Sequence, residues 1–212
     1  MTLLYKEIRL AAHPTSIVFV FLGCLVLVPS YPYSVIFMFG CLAPYITFLN
    51  ARETNDIWYT AVLPVTKRES VLGKCLLVVF FQLFQLLFSI PFALLRNALN
   101  IANNPVGLDV TAAWYGFGFF LYAVFDFVFL TAFYKSGYKA GKSFILAAVP
   151  MVLLMVAIEA TAHIPALVWM DSCQSKYLLM QLPVFIAGVV CYGVFIPLAY
   201  RISAKRFEKV DL

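Results

Sequence analysis

Long apolar runs alternate with short polar stretches along the whole chain, and six of those runs approach the length of a membrane span. They are Ser16–Ser30, Ser34–Asn50, Val71–Leu95, Ala112–Tyr134, Ser143–Ala162 and Tyr177–Tyr200. A transmembrane helix needs about 20 mostly apolar residues, within a range of roughly 17–25. The pattern therefore predicts an all-α integral membrane protein with six transmembrane helices. The first two runs are short and are separated by Tyr31-Pro32-Tyr33, a tight turn with aromatics suited to the membrane interface. Residues 1–12 carry Leu3, Leu4, Ile8 and Leu10 among Lys6, Glu7 and Arg9, and His13-Pro14 ends the run. That segment is too short to cross and reads as an amphipathic helix in the interface.

Composition agrees with this reading and excludes a soluble domain. The chain is 64% hydrophobic and 12% charged, against roughly 25% charged in ordinary domains. No cleavable signal peptide is expected, because the first apolar run follows a charged amphipathic segment without a small-residue cleavage site. Four of the five cysteines, Cys24, Cys41, Cys75 and Cys191, sit in apolar runs and act there as small hydrophobes. With Cys173 alone in a loop, no disulfide framework can form.

Charge placement orients the spans. With both termini on one side, thirteen of the fifteen basic residues fall on that side. They are Lys6, Arg9, Arg52, Lys67, Arg68, Lys74, Lys135, Lys139, Lys142, Arg201, Lys205, Arg206 and Lys209. Only Arg96 and Lys176 fall opposite. The positive-inside rule then puts both termini in the cytoplasm.

Candidate chemistry is sparse. Gly137-Tyr138-Lys139-Ala140-Gly141-Lys142-Ser143 imitates a P-loop but has three residues between the glycines instead of four, and an apolar span precedes it instead of a strand. It reads as a cytoplasmic turn. Two acids lie within spans: Asp126, eight residues from the inner end of span four, and Glu159, near the outer end of span five. Intramembrane acids default to functional sites. Gln82 and Gln85 on span three match the depth of Asp126 and are placed to hydrogen-bond it, while His163 at i+4 is placed to satisfy Glu159. These four polar residues are the candidates for a translocation path, and interhelical hydrogen bonding is the blander reading of them. His13 and His163 fall on opposite sides, so they share no metal, and no catalytic constellation appears. The aromatics are expected mostly at the lipid and interface. Pro91, Pro150 and Pro197 are expected to kink spans three, five and six.

The most informative stretch is residues 52–74, polar and charged between two apolar runs. Glu53, Thr54 and Asn55 favour a helix start. A short helix Asp56–Val62 would carry Trp58 and Tyr59, and Leu63-Pro64 would break it. Thr66 with Glu69 would form a capping box opening the next helix at about Lys67. The order of parts, with the acidic Glu53, the run Leu63-Pro64-Val65-Thr66-Lys67-Arg68 and Lys74 entering span three, resembles the permease subunits of type-2 ATP-binding-cassette (ABC) exporters. Within them it resembles the subgroup that exports phenol-soluble modulins, which are amphipathic toxin peptides.

The resemblance implies a single transmembrane domain, residues 1–212, without a nucleotide-binding domain, and a cytoplasmic coupling loop at residues 51–70. It implies that Glu53, Asp56, Trp58, Tyr59, Leu63, Pro64, Lys67 and Arg68 meet a partner ATPase, present in two copies. ATP and Mg would be held by that partner and no cofactor by this chain. A second permease chain, membrane lipid and a hydrophobic or amphipathic cargo complete the expected partners; nucleic acid is not among them. The setting would be a bacterial plasma membrane. Two other readings remain at this stage: a stand-alone secondary transporter or channel switched by Asp126, and a membrane scaffold that transports nothing.

Overall fold

The computed structural model describes residues 3–53, 65–99, 101, 104–136 and 139–209, and every described element is helical. The chain begins with α1, Leu3–Lys6, continued by a π-helical turn over Glu7–Ala11. Helix α2, Pro14–Phe21, starts with Pro14 at its first position and is capped by His13, whose Nδ1 accepts from the Thr15 amide at 3.2 Å. It tightens into a 3₁₀ segment, Leu22–Leu27. Then come α3, Val35–Glu53; α4, Lys67–Ala98; α5, Ala112–Lys135; α6, Ala140–Thr161; the one-turn α7, Val168–Asp171; and α8, Ser175–Glu208.

Among the described residues, four helices are long and apolar enough to cross a membrane: α4, α5, α6 and α8. They correspond to the last four apolar runs. The first two expected spans come out shorter. Helix α2 with its 3₁₀ extension covers about 24 Å by helical rise, less than the roughly 30 Å hydrocarbon core. It meets the N-terminal segment at a 100° bend. The turn back into α3 passes through Ser30 at φ 61°. The apolar part of α3, Val35–Ala51, is also shorter than the four, the shortest of which has 22 residues. Serine and threonine join these two short elements: Ser16 Oγ donates to the Ala43 carbonyl at 2.6 Å and lies 3.0 Å from Thr47 Oγ1.

Helices α5 and α8 pack most closely. A Cβ added at Gly188 would lie 2.0 Å from the Gly116 carbonyl oxygen, and one at Gly116 would lie 2.6 Å from the Val184 carbonyl oxygen. Close backbone approach through small residues is how helices associate in lipid, where burying apolar surface gains little. The same physics corrects the expectation for the aromatics. Trp114, Tyr33, Tyr122, Phe37, Phe48, Phe125 and Phe129 are fully buried, while Leu179, Leu153, Leu94 and Ile145 face outward. Phe37 stacks against Trp114 at 4.3 Å between centroids, and Phe125, Phe129 and Phe133 form a ladder that Phe48 meets edge-on. Flat rings interlock where aliphatic chains leave gaps, so dispersion contacts favour aromatics inside and aliphatics outside.

Candidate functional site: three polar tiers in an apolar bundle

Three levels of buried polar contacts run through the bundle. At mid-depth, Gln82 of α4 donates to Asp126 of α5 at 2.8 Å and accepts from Tyr192 of α8 at 2.8 Å. Both Gln82 and Asp126 are fully buried, so this chain of bonds joins three of the spanning helices. The expected Gln82–Asp126 pair is present. The Gln85 contact differs from expectation: its amide nitrogen donates to the Phe19 and Ile36 carbonyls, each at 3.1 Å, and its oxygen accepts from Tyr122. Helix α2 gives way to 3₁₀ geometry just past Phe19, and Gln85 spans that irregular backbone. Gly40 leaves the room, since a Cβ there would collide with both Tyr122 and Gln85. Gln82, Gln85 and Asp126 are thus enclosed within the helical bundle.

One Asp126 oxygen has no hydrogen-bond partner among the described residues. Replacing Asp126 with Asn keeps the acceptor for Gln82 and is expected to change thermal stability by less than about 1 kcal/mol. Asp126→Leu strands the Gln82 amide and is expected to cost about 1–3 kcal/mol. Melting curves of the purified chain in detergent separate the two outcomes.

At the end away from the termini, the connections form a dense cap. Arg96 is 3% exposed; its Nη2 donates to Asp109 Oδ1 at 2.6 Å and its Nη1 to the Tyr33 hydroxyl. The other Asp109 oxygen accepts from the Asn104 amide at 3.1 Å. Glu159 does not turn to His163. Its two oxygens accept from the Ser34 amide at 3.0 Å and the Leu108 amide at 2.8 Å. Backbone amides that no helix satisfies are stronger claimants for a carboxylate than a side chain on its own helix. The Asp109 amide donates to Asp171 Oδ1 at 2.6 Å, and Thr111 Oγ1 donates to the Met170 carbonyl at 2.9 Å.

Burial raises the carboxyl of Asp109, against the lowering influence of Arg96. Asp171 is pushed up to about 6, chiefly by burial and also by the charges of Asp109 and Glu159, while the Asp109 amide and His163 oppose the shift. A carboxyl raised in the folded state contributes stability that is fully present below its unfolded value and is lost as pH rises through about 6. The folded chain is therefore expected to melt at higher temperature at pH 5 than at pH 7.5, by the equivalent of about 1 kcal/mol after allowing for solvent screening. Asp171→Asn should flatten that dependence.

The third tier lies at the lysine-rich end. Glu7 is fully buried between Lys6 and Lys74, 2.8 Å from each ammonium. The N-terminal segment therefore turns its acid inward against α4. Arg68 at the start of α4 pairs with Glu208 at the end of α8 at 2.5 Å, and Arg206 donates to the Thr131 carbonyl of α5. The expected capping box is present: the Thr66 amide donates to Glu69 Oε2 at 2.7 Å and the Glu69 amide to Thr66 Oγ1 at 3.2 Å.

Of the expected ATPase-coupling residues, Lys67 and Arg68 lie in the first turn of α4, and α3 ends at Glu53. Asp56, Trp58, Tyr59, Leu63 and Pro64, and the short helix expected there, lie outside the described residues. The buried pairs Arg96–Asp109 and Glu7–Lys74 had no signal in the sequence. Their members are 13 and 67 positions apart, beyond the three- or four-residue spacing that places side chains together on one helix.

The helices and polar tiers define a multi-pass helical membrane protein. The sequence model described as ABC-2 family transporter protein matches residues 2–208, and the chain belongs to that family. It is accordingly a membrane permease of an ABC transporter, a transport subunit that associates with an ABC ATPase. No curated protein and no solved structure matches it.

Proposed function

We propose that this chain is the membrane-spanning subunit of an ABC exporter for hydrophobic or amphipathic cargo. Two such chains form the path between them, and two separate ATPase subunits, which hold ATP and Mg, drive it from the cytoplasm. The observation that carries this reading is the family match along nearly the whole chain. Helix α2 with its 3₁₀ extension and α3 complete a bundle of six. The distribution of basic residues favours the lysine-rich end and both termini on the cytoplasmic side, and the proposed setting is a bacterial plasma membrane. The Leu63–Lys67 motif favours the subgroup that exports amphipathic peptides.

In this mechanism the segment between Glu53 and Thr66 is the coupling element, with Trp58, Tyr59 and Leu63 seated in the ATPase and Asp56, Lys67 and Arg68 setting register. Closure of the ATPase pair on ATP pushes it against the end of α3 and the start of α4. The 32-residue α4 is about 48 Å of helix, long enough to carry the push across the bilayer. Arg68–Glu208 ties it to α8, and Gln82 ties it to Asp126 on α5 and Tyr192 on α8. Helices α4, α5 and α8 then move as one rigid body.

Leu63→Ala and Glu53→Arg test this in the reconstituted complex. Each is expected to leave complex assembly intact while cargo-stimulated ATP hydrolysis and export fall at least about tenfold, which corresponds to about 1.4 kcal/mol of lost coupling. Export unchanged in both variants would overturn the coupling assignment.

A further inference from the structure

Lys142, in the segment that imitates a phosphate-binding loop, lies at the head of a groove. Between α5 and α6, Val128, Ile145, Leu146, Val149 and Pro150 line an open furrow of about 880 Å³ with Lys142 at its lip. Ile145, Leu146 and Val149 each leave more than half of their surface exposed. Apart from the lysine, this wall offers only hydrocarbon.

The lip is different from the wall. Lys135, Lys139 and Lys142 are all exposed, and none of them pairs with an acid among the described residues. Other basic groups of the bundle are engaged: Lys6 and Lys74 with Glu7, Arg68 with Glu208, Arg96 with Asp109. The lysines also flank a helix start. Lys139 occupies the cap position of α6 and makes no side-chain cap bond, whereas Thr66 and Thr111 cap α4 and α5. The first amides of α6, which have no partner within the helix, lie beside Lys142 at the positive end of the helix dipole.

A second groove provides the contrast. In the half of the bundle nearer the polar cap, Leu83, Leu87, Ile90, Tyr115, Phe119 and Leu182 help to line about 480 Å³ between α4, α5 and α8. No charged residue lines it. Neutral acyl chains suit both grooves, and only the first offers something for a negative headgroup.

We propose that the α5–α6 groove is a binding site for an anionic phospholipid. Its acyl chain lies along Ile145, Leu146 and Val149, and its phosphate sits on Lys139, Lys142 and the first-turn amides of α6. Apolar wall and charged lip are thus used by one molecule, which neither a soluble anion nor a neutral lipid would do. Basic pockets between helices near the membrane surface are suited to such headgroups, each lysine adding about fivefold in affinity.

The full chain, purified in detergent, is titrated with phosphatidylglycerol and separately with phosphatidylcholine of the same acyl chains, and bound lipid is counted by native mass spectrometry. Phosphatidylglycerol is expected to bind at least about tenfold tighter. The double variant K139A/K142A should lose that preference, K139R/K142R should keep it, and K205A/K209A, altered at another basic patch, should leave it unchanged. Equal binding of the two lipids, or a preference that survives K139A/K142A, would overturn the proposal. So would disulfide capture of a second copy of this chain through Val149→Cys in native membranes, because the groove would then be an interface between copies.

Discussion

Arg96→Ala is expected to be among the most damaging single substitutions in this chain. The guanidinium is buried at the polar cap, where it donates to Asp109 and Tyr33. Removing it leaves the Asp109 carboxylate inside the protein with only the Asn104 amide as a described partner for its oxygens. Breaking a buried ion pair from one side costs about 3–5 kcal/mol, because the remaining charge is neither solvated nor paired. A chain of this length would melt roughly 10 °C lower on that account. Replacing both partners with apolar residues removes the stranded charge, so Arg96→Leu with Asp109→Leu should recover most of the loss. Melting of the purified variants, followed by tryptophan fluorescence, gives the comparison. Additive losses in the double variant would show that the pair is not coupled.

The second large effect is expected at Gly188. Even alanine places a Cβ 2.0 Å from the Gly116 carbonyl oxygen. That neighbour is backbone and has no rotamer to escape into, so α5 and α8 must separate. Overpacking of this kind costs about 1–3 kcal/mol where side chains can adjust and should reach at least the upper value here. Gly193 lies five residues further along the same helix, and a Cβ there meets nothing within 4 Å. Gly193→Ala should be neutral or slightly stabilising, since alanine is the better helix former. The yield of monodisperse protein on size exclusion should fall sharply for Gly188→Ala and stay unchanged for Gly193→Ala. Equal behaviour would refute the close α5–α8 approach.

Hydropathy alone located α4, α5, α6 and α8, because each has a long apolar run bounded by charge. The structure extends these helices beyond the runs, as from Val71–Leu95 to Lys67–Ala98, since charged residues at a helix end remain helical after the apolar stretch has stopped. The start at Lys67 was also legible, because a capping box is a local pattern of four residues. Helix α2 was less so: nothing in its hydropathy distinguishes an α-helix from the 3₁₀ turns of Leu22–Leu27.

Among the candidate site residues, the Gln82–Asp126 contact followed from matched depth on neighbouring spans. Gln85 and Glu159 found backbone partners instead, at Phe19, Ile36, Ser34 and Leu108. A sequence does not advertise which amides and carbonyls its irregular segments leave unsatisfied. For the same reason Arg96 was visible only as an exception to the charge asymmetry.

The central claim, a permease driven by a separate ATPase, is tested most directly by purifying the chain from its native membrane in mild detergent and identifying what accompanies it. A stoichiometric ATP-binding subunit is the predicted result, and it should be lost when Trp58 and Leu63 are both replaced by alanine. A chain that emerges alone, or only with copies of itself, and stimulates no ATP hydrolysis would contradict the account.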